Sequence, residues 1–220
     1  MHEIPVHDDL RASNDEVARL NRRHFTDHGV YVINLMSGPG AGKTMLLERT
    51  VESLSSRWRI AVIEGDIQTS RDAKRIARHG VRAIQINTKG ACHLDARQIA
   101  SHMKRLNLDQ LDLVFIENVG NLVCPAEFDL GEHDKVMLLS VTEGDDKPAK
   151  YPVMFHAAQL MLINKTDLLP YVDFDVASAE GDARSLNADL TVLPISARAG
   201  QGLDEWYRWL EDRMALHLAE

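Results

Sequence analysis

The chain has 220 residues, 45% of them hydrophobic, which suits one domain with a sizeable core. Its formal net charge of −8 at pH 7 gives no bulk electrostatic case for nucleic acid or an anionic membrane as partner. No apolar run approaches the roughly 20 residues that span a bilayer. The start, Met1-His2-Glu3-Ile4-Pro5-Val6-His7-Asp8-Asp9, lacks the basic and apolar regions of a secretory signal. Cys92 and Cys124, the two cysteines, imply no disulfide framework. A cytoplasmic protein with free thiols is expected.

Residues 10–28 carry the pattern of a polar amphipathic helix, with Val17, Leu20 and Phe25 on one side and Ser13 at the N-cap position. Such a helix packs on the main domain or on a partner, and the sequence suits both. Residues 1–28 are therefore read as a helical extension and 29–220 as one domain. From residue 30 the pattern alternates. Short apolar runs at 30–36, 59–64, 82–86, 112–117, 136–141, 159–163 and 190–194 read as strands. Stretches 44–57, 70–79, 94–106, 175–186 and 203–217 read as helices. Repeated β–α units with nearly continuous apolar strands predict an α/β fold in three layers. Its central sheet is expected to be mostly parallel, with about seven strands and the post-strand loops on one edge. The stretches 118–134 and 142–152 are long, bear Gly or Pro, and are read as functional loops.

The first strand runs into Ser37-Gly38-Pro39-Gly40-Ala41-Gly42-Lys43-Thr44. A strand feeding a Gly-rich loop that ends in Gly-Lys-Thr is the phosphate-binding loop of P-loop NTPases. Gly38, Gly40 and Gly42 let the backbone curl, around Pro39 and Ala41, so that N–H groups point at phosphate oxygens. The following helix aims the positive end of its dipole at the same anion. Lys43 is placed to reach the β/γ phosphates and Thr44 to ligate Mg²⁺. The strict pattern has Gly where this chain has Ser37, and a small residue fits there.

After strand 159–163 comes Asn164-Lys165-Thr166-Asp167. The Asp167 carboxylate accepts two hydrogen bonds and so suits the N1–H and 2-amino edge of guanine, a pair of donors that adenine lacks. The Lys165 stem can lie over the base, Asn164 can tie neighbouring loops, and Ser196-Ala197 after the last strand complete a G-domain-like base site. The expected nucleotide is GTP, hydrolysed to GDP.

Two acids end strands near the same edge. Asp66 and Glu117 can each hold Mg²⁺ or orient the attacking water, and Glu117-Asn118-Val119-Gly120 reads as an acidic switch whose Gly120 amide meets the γ-phosphate. With no obvious water-positioning Gln in the switch, slow intrinsic turnover is expected.

Cys92-His93 precedes the helix expected at Leu94, and Cys124 falls in the loop after Glu117. Thiolate and imidazole suit Zn²⁺ and Ni²⁺, and a Cys at a helix N-terminus has a lowered pKa. Free cysteines are also commonly small core residues, and most of the ten histidines are surface or packing residues, so the residues alone leave both readings open. Three ligands per chain suit an open site or one shared across a symmetric dimer.

Together, Ser37–Thr44, Glu64-Gly65-Asp66, Cys92-His93-Leu94-Asp95-Ala96, Glu117 through Ala126, Ser140 through Gly144 and Asn164 through Leu168 resemble the HypB family, GTPases that assist nickel insertion into [NiFe] hydrogenase. The resemblance runs from about residue 30 to the end. It implies a nickel/zinc site at Cys92, His93 and Cys124, GTP- and metal-promoted homodimerisation, and transfer of nickel towards the hydrogenase large subunit alongside a HypA-type chaperone. Residues 1–30 depart from many members in having no Cys and only His2, His7, His24 and His28, so nickel storage is not expected. The related urease GTPase UreG, with its Cys-Pro-His metal motif, and a metal-buffering scaffold with a vestigial GTPase are the alternatives.

Overall fold

A computed structural model describes residues 6–66 and 71–219. The start of the expected 1–28 extension, His2 included, and residue 70 of the expected helix 70–79 lie outside the described residues. In chain order the elements are α1 (Val6–Asp27), β1 (Tyr31–Ser37), α2 (Lys43–Leu54), β2 (Ile60–Asp66), α3 (Arg71–Ala77), β3 (Arg82–Asn87), α4 (Ala96–Met103) and β4 (Leu113–Glu117). They continue with α5 (Cys124–Glu127), β5 (Asp134–Ser140), α6 (Lys147–Lys150), α7 (Pro152–Ala157), β6 (Leu160–Asn164), α8 (Val176–Leu186), β7 (Thr191–Pro194) and α9 (Leu203–His217).

Among the described residues, seven strands form one sheet in the order β3-β2-β4-β1-β5-β6-β7, and every neighbouring pair is parallel. Alternate strand residues divide between two apolar faces. Tyr31, Ile33 and Leu35 of β1 join Phe115, Leu138 and Leu162 beneath α2 and α9. Val32 and Met36 turn to the other face, where α4, α7 and α8 supply Ile99, Phe155 and Ala183. With both faces covered, the central strands need no polar side, which explains their apolar runs, whereas the edge strands β3 and β7 are partly exposed. The buried Trp206 locks α9 to α2 by donating its indole N–H to Thr50 Oγ1 at 2.9 Å. Because all strands run the same way, the loops after β1, β2, β4 and β6 share one edge, with β1 at the point where neighbours diverge to either side.

Several expectations need correction. Ser13 does not cap α1, which begins at Val6; the Ser13 hydroxyl instead accepts from Arg97. Leu20 is 61% exposed, and the buried side of α1 carries Asn14, Ala18, Asn21 and Phe25. The surface beneath presents backbone groups of Ala96, Asp129 and Leu130, which side-chain amides satisfy and a leucine cannot. The helix expected from Leu94 starts at Ala96, because Asp95 and Gln98 form a reciprocal capping box. In the stretch 142–152, the prolines open helices rather than interrupt a loop: Pro148 and Pro152 occupy first-turn positions of α6 and α7, where a missing N–H costs nothing.

Candidate nucleotide and metal site

At the carboxyl edge lies a cavity of about 680 Å³, a size that suits a small-molecule ligand. Pro39, Gly40, Gly42, Lys43 and Thr44 line it, as do Asp66, Glu117 and Gly120 from the neighbouring strand ends and Asn164, Lys165 and Asp167 from the end of β6. Gly42 sets the turn into α2 with φ of +106°, a conformation closed to side chains, and a Cβ there would meet Asn164 Nδ2 at 2.6 Å. Gly120 is needed for closeness. A Cβ on it would stand 2.9 Å from Pro39 Cα, so the loop after β4 rests directly on the phosphate loop. Gly38 and Ala41 lie behind the lining: Gly38 faces the Glu143 carboxylate, and Ala41 is buried with its carbonyl accepting from Asn164 Nδ2 at 2.8 Å.

The residues expected to read the base form one hydrogen-bonded unit. Asn164 also accepts the Ala197 N–H at 3.0 Å, Lys165 Nζ donates to Gly40 O at 2.7 Å, and Ser196 Oγ donates to Asp167 Oδ1 at 2.6 Å. Lys165 adopts φ of +65°, a strained backbone that aims its side chain at the phosphate loop. Ser196 and Ala197 thus act from behind the pocket wall by orienting Asp167 and Asn164.

Charge in the pocket is balanced at close quarters. Lys43 is almost wholly buried and its ammonium donates to Ser37 Oγ at 2.8 Å, so the serine in place of glycine supplies a hydroxyl partner. Burial pulls the Lys43 pKa down, while Glu117 and Glu143 oppose the shift. Glu117 accepts the Thr44 hydroxyl at 2.9 Å through Oε1, and burial pushes its pKa up to about 7 against the influence of Lys43 and Thr44. Its Oε2 is buried without a partner, as is Oε2 of Glu64, the residue opposite it in the β2–β4 ladder. Burial, reinforced by Glu117 and Asp72, lifts Glu64 to about 8. Orphaned carboxylate oxygens beside a threonine hydroxyl make a hard, all-oxygen donor set, which fits Mg²⁺.

Beyond the cavity, Cys92 and His93 from the loop after β3 and Cys124 from the segment after β4 converge, with one ligating atom from each within 4.8 Å of the others. The Sγ atoms are 3.0 Å apart, Cys92 Sγ lies 3.5 Å from His93 Nδ1, and the His93 ring stacks on Phe128 at 3.9 Å between centroids. Both cysteines are free and Cys92 is exposed, so the cluster opens to solvent. Cys92 does not open a helix as expected, because the cap at Asp95 leaves it in the preceding loop; Cys124 is the cysteine that starts a helix, the single turn α5. The hydrogen bond with Cys92, then burial, raises the Cys124 thiol pKa. Asn118 links the cluster to the cavity. Its Oδ1 accepts from the N–H of Leu94, next to His93, at 3.2 Å, and its Nδ2 donates to Asn34 on β1 at 3.2 Å.

Residues 31–194 match the family model described as CobW/HypB/UreG, nucleotide-binding domain. The chain belongs to this family. Hydrogenase maturation factor HypB of Azotobacter vinelandii is 54% identical over 215 residues, spanning 98% of this chain and 71% of that protein. The solved HypB of Archaeoglobus fulgidus superposes with a TM-score of 0.87 at 38% identity, covering 92% of this chain and 99% of that one. HypB of Helicobacter pylori, solved in complex with nickel, gives 0.89 at 37% identity and covers 94% and 97%.

Four groups at the site of this CobW/HypB/UreG chain are not singled out by the sequence. Glu64 needed the strand register that sets it beside Glu117. Glu143 caps the turn after β5, accepting the Ser140 N–H at 2.7 Å, and faces Gly38. Arg75, on the cavity wall, is held by Glu48 at 2.6 Å and Asp72 at 3.2 Å. Arg198 lines the cavity directly after Ser196-Ala197, and adjacency to that pair is its available signal. Among the described residues, no helix is long and apolar enough to cross a membrane.

Proposed function

We propose that the chain is a GTP-hydrolysing factor of hydrogenase maturation that takes nickel as cargo and delivers it towards the large subunit. The observation that carries this reading is the shared framework: Glu117 faces the phosphate loop, and the next residue, Asn118, holds the loop bearing Cys92 and His93. Membership of a family whose relatives include HypB proteins, one of them solved with nickel, supports it.

The backbone of Gly38–Thr44 would cradle the phosphates and Lys43 would leave Ser37 for the β/γ oxygens, where its charge stabilises the transferring phosphoryl group. Asp167, oriented by Ser196, would take the guanine edge, with Lys165 along the base and Asn164 and Ala197 bracing the loops. Thr44, Asp66 and Glu117 would hold Mg²⁺, which supplies charge neutralisation between the phosphates when bound. Gly120, set against Pro39, would offer its amide to the γ-phosphate.

Cys92, His93 and Cys124 would ligate Ni²⁺, or Zn²⁺ in its place, with a position left open for a further ligand. A second copy supplying that ligand would make homodimerisation metal-promoted, and a HypA-type chaperone and the hydrogenase large subunit are the proposed exchange partners. The free thiols suit a reducing cytoplasm. Phosphate release from GTP by the purified chain, abolished in Lys43→Ala, tests the enzymatic half of the proposal. Equal rates for the two proteins would reject it.

A further inference from the structure

The two loops that carry Cys92-His93 and Cys124 are held not only by the sheet but also by α1. Asn21 is almost wholly buried, and its single amide nitrogen donates to Ala96 O at 2.8 Å and to Leu130 O at 3.0 Å. Ala96 starts the helix after Cys92-His93, and Leu130 ends the segment after Cys124, so one side chain spans both arms of the cluster. Two helical turns earlier, Asn14 repeats the arrangement. Its Oδ1 accepts the Ala96 N–H at 2.9 Å while its Nδ2 donates to Asp129 O at 2.8 Å. Outside these amides run two ion pairs to the Cys124 arm, Arg11 to Glu127 at 2.7 Å and Arg22 to Asp129 at 2.7 Å. Between the held points, Phe128 lies against the His93 ring.

We propose that α1 is a positioning clamp for the Cys92/His93/Cys124 cluster, with Asn14 and Asn21 fixing the spacing of its two arms. The inference rests on the metal-site reading above and deepens it. Neither asparagine reaches a sulfur or a ring nitrogen; both act through the backbone of the ligand-bearing arms. Outer partners of this kind orient metal ligands, and their loss typically lowers metal affinity 10–100-fold. Displacing α1 would separate the arms and move the two thiols apart. The nucleotide pocket would be left alone, since no residue of α1 lines the cavity.

The test uses the full chain in two forms, Asn21→Ala and the surface double variant Arg11→Gln/Arg22→Gln, which retains the buried amides if the first fails to fold. Ni²⁺ affinity, GTP affinity and the rate of Cys92–Cys124 disulfide formation under a mild thiol oxidant such as diamide are measured together. The clamp predicts Ni²⁺ affinity lower by about tenfold in Asn21→Ala and less in the double variant, slower disulfide closure in both, and unchanged GTP affinity. A lower melting temperature with Ni²⁺ affinity and disulfide rate at their starting values would overturn the clamp. Cys92→Ala separates the two readings. If it binds Ni²⁺ as tightly as the unaltered chain, the metal assignment is what fails, and slowed disulfide closure in the α1 variants still reports the clamp.

Discussion

Cys92 Sγ and Cys124 Sγ lie 3.0 Å apart although 32 residues separate them in the chain. Their meeting depends on β3 and β4 both ending at the carboxyl edge of the parallel sheet. Cys92 sits before α4 and Cys124 beyond the carboxyl end of β4, so the strand that ends in Glu117 places one thiol, and Asn118 at its end holds the arm of the other. A change at the phosphate side of Glu117 therefore has a short covalent and hydrogen-bonded route to both thiols.

Cys92→Ala, His93→Ala and Cys124→Ala each weaken Ni²⁺ or Zn²⁺ binding by about tenfold or more. Guanine-nucleotide affinity stays at its original level, because none of the three lines the cavity. Calorimetric titration of each variant with metal and with GDP checks both halves.

In the proposed function, Asp167, hydrogen-bonded by the Ser196 hydroxyl, would select the base. Asp167→Asn replaces an acceptor by a donor and turns the preference from GTP towards xanthosine triphosphate. Ser196→Ala removes the 2.6 Å bond and lowers GTP affinity by about tenfold, in line with a hydrogen bond to a charged group. Competition between the two triphosphates for a fluorescent GDP analogue reads both effects, and unchanged guanine preference in Asp167→Asn rejects the assignment.

Gly120→Ala tests the contact between the switch and the phosphate loop. The added Cβ would face backbone, the Cα of Pro39 at 2.9 Å, and neither side can yield as a flexible side chain would. Withdrawal of the Gly120 amide is expected to cut GTP turnover by about a hundredfold, as for loss of one transition-state donor, with a much smaller change in GDP affinity. Equal turnover would show that the amide plays no part.

Much of this was legible because periodic burial writes itself into composition. The central strands, covered on both faces, are apolar runs, and the segments around Lys43-Thr44 and Asn164-Lys165 carry residues that few other geometries require. What stayed hidden depends on pairing between distant segments. Glu64 reads as an ordinary strand residue until the register sets it opposite Glu117. The side of α1 that faces the domain is marked by Asn14 and Asn21 rather than by Leu20, since it meets backbone carbonyls and amides instead of an apolar surface. Hydrophobic periodicity cannot signal a polar interface of that kind.

A pH dependence of stability follows from His133. Its Nδ1 accepts the Val32 N–H at 2.9 Å, and burial, reinforced by His217 and Arg22, lowers its pKa to about 3. The ring is packed against Tyr31 and His217. Below the unfolded value of about 6.5, the unfolded chain binds a proton that the folded chain refuses. This contribution is thus fully present above pH of about 6.5 and is lost progressively as the pH falls towards 3, with a slope of at most about 1.4 kcal/mol per pH unit. His133→Asn, which keeps an acceptor for Val32, should flatten the melting-temperature profile between pH 6.5 and 4. An identical profile would assign the loss to other groups.

The central claim is that nucleotide and metal sites are joined through Glu117, Asn118 and the two cysteine arms. Titration of the metal-free chain with Ni²⁺, with and without a non-hydrolysable GTP analogue, tests it most directly. Coupling predicts Ni²⁺ affinities that differ by about fivefold or more between the two states, with the reciprocal change in nucleotide affinity when Ni²⁺ is present. Asn118→Ala should shrink that difference. The same Ni²⁺ affinity in both states would contradict the account.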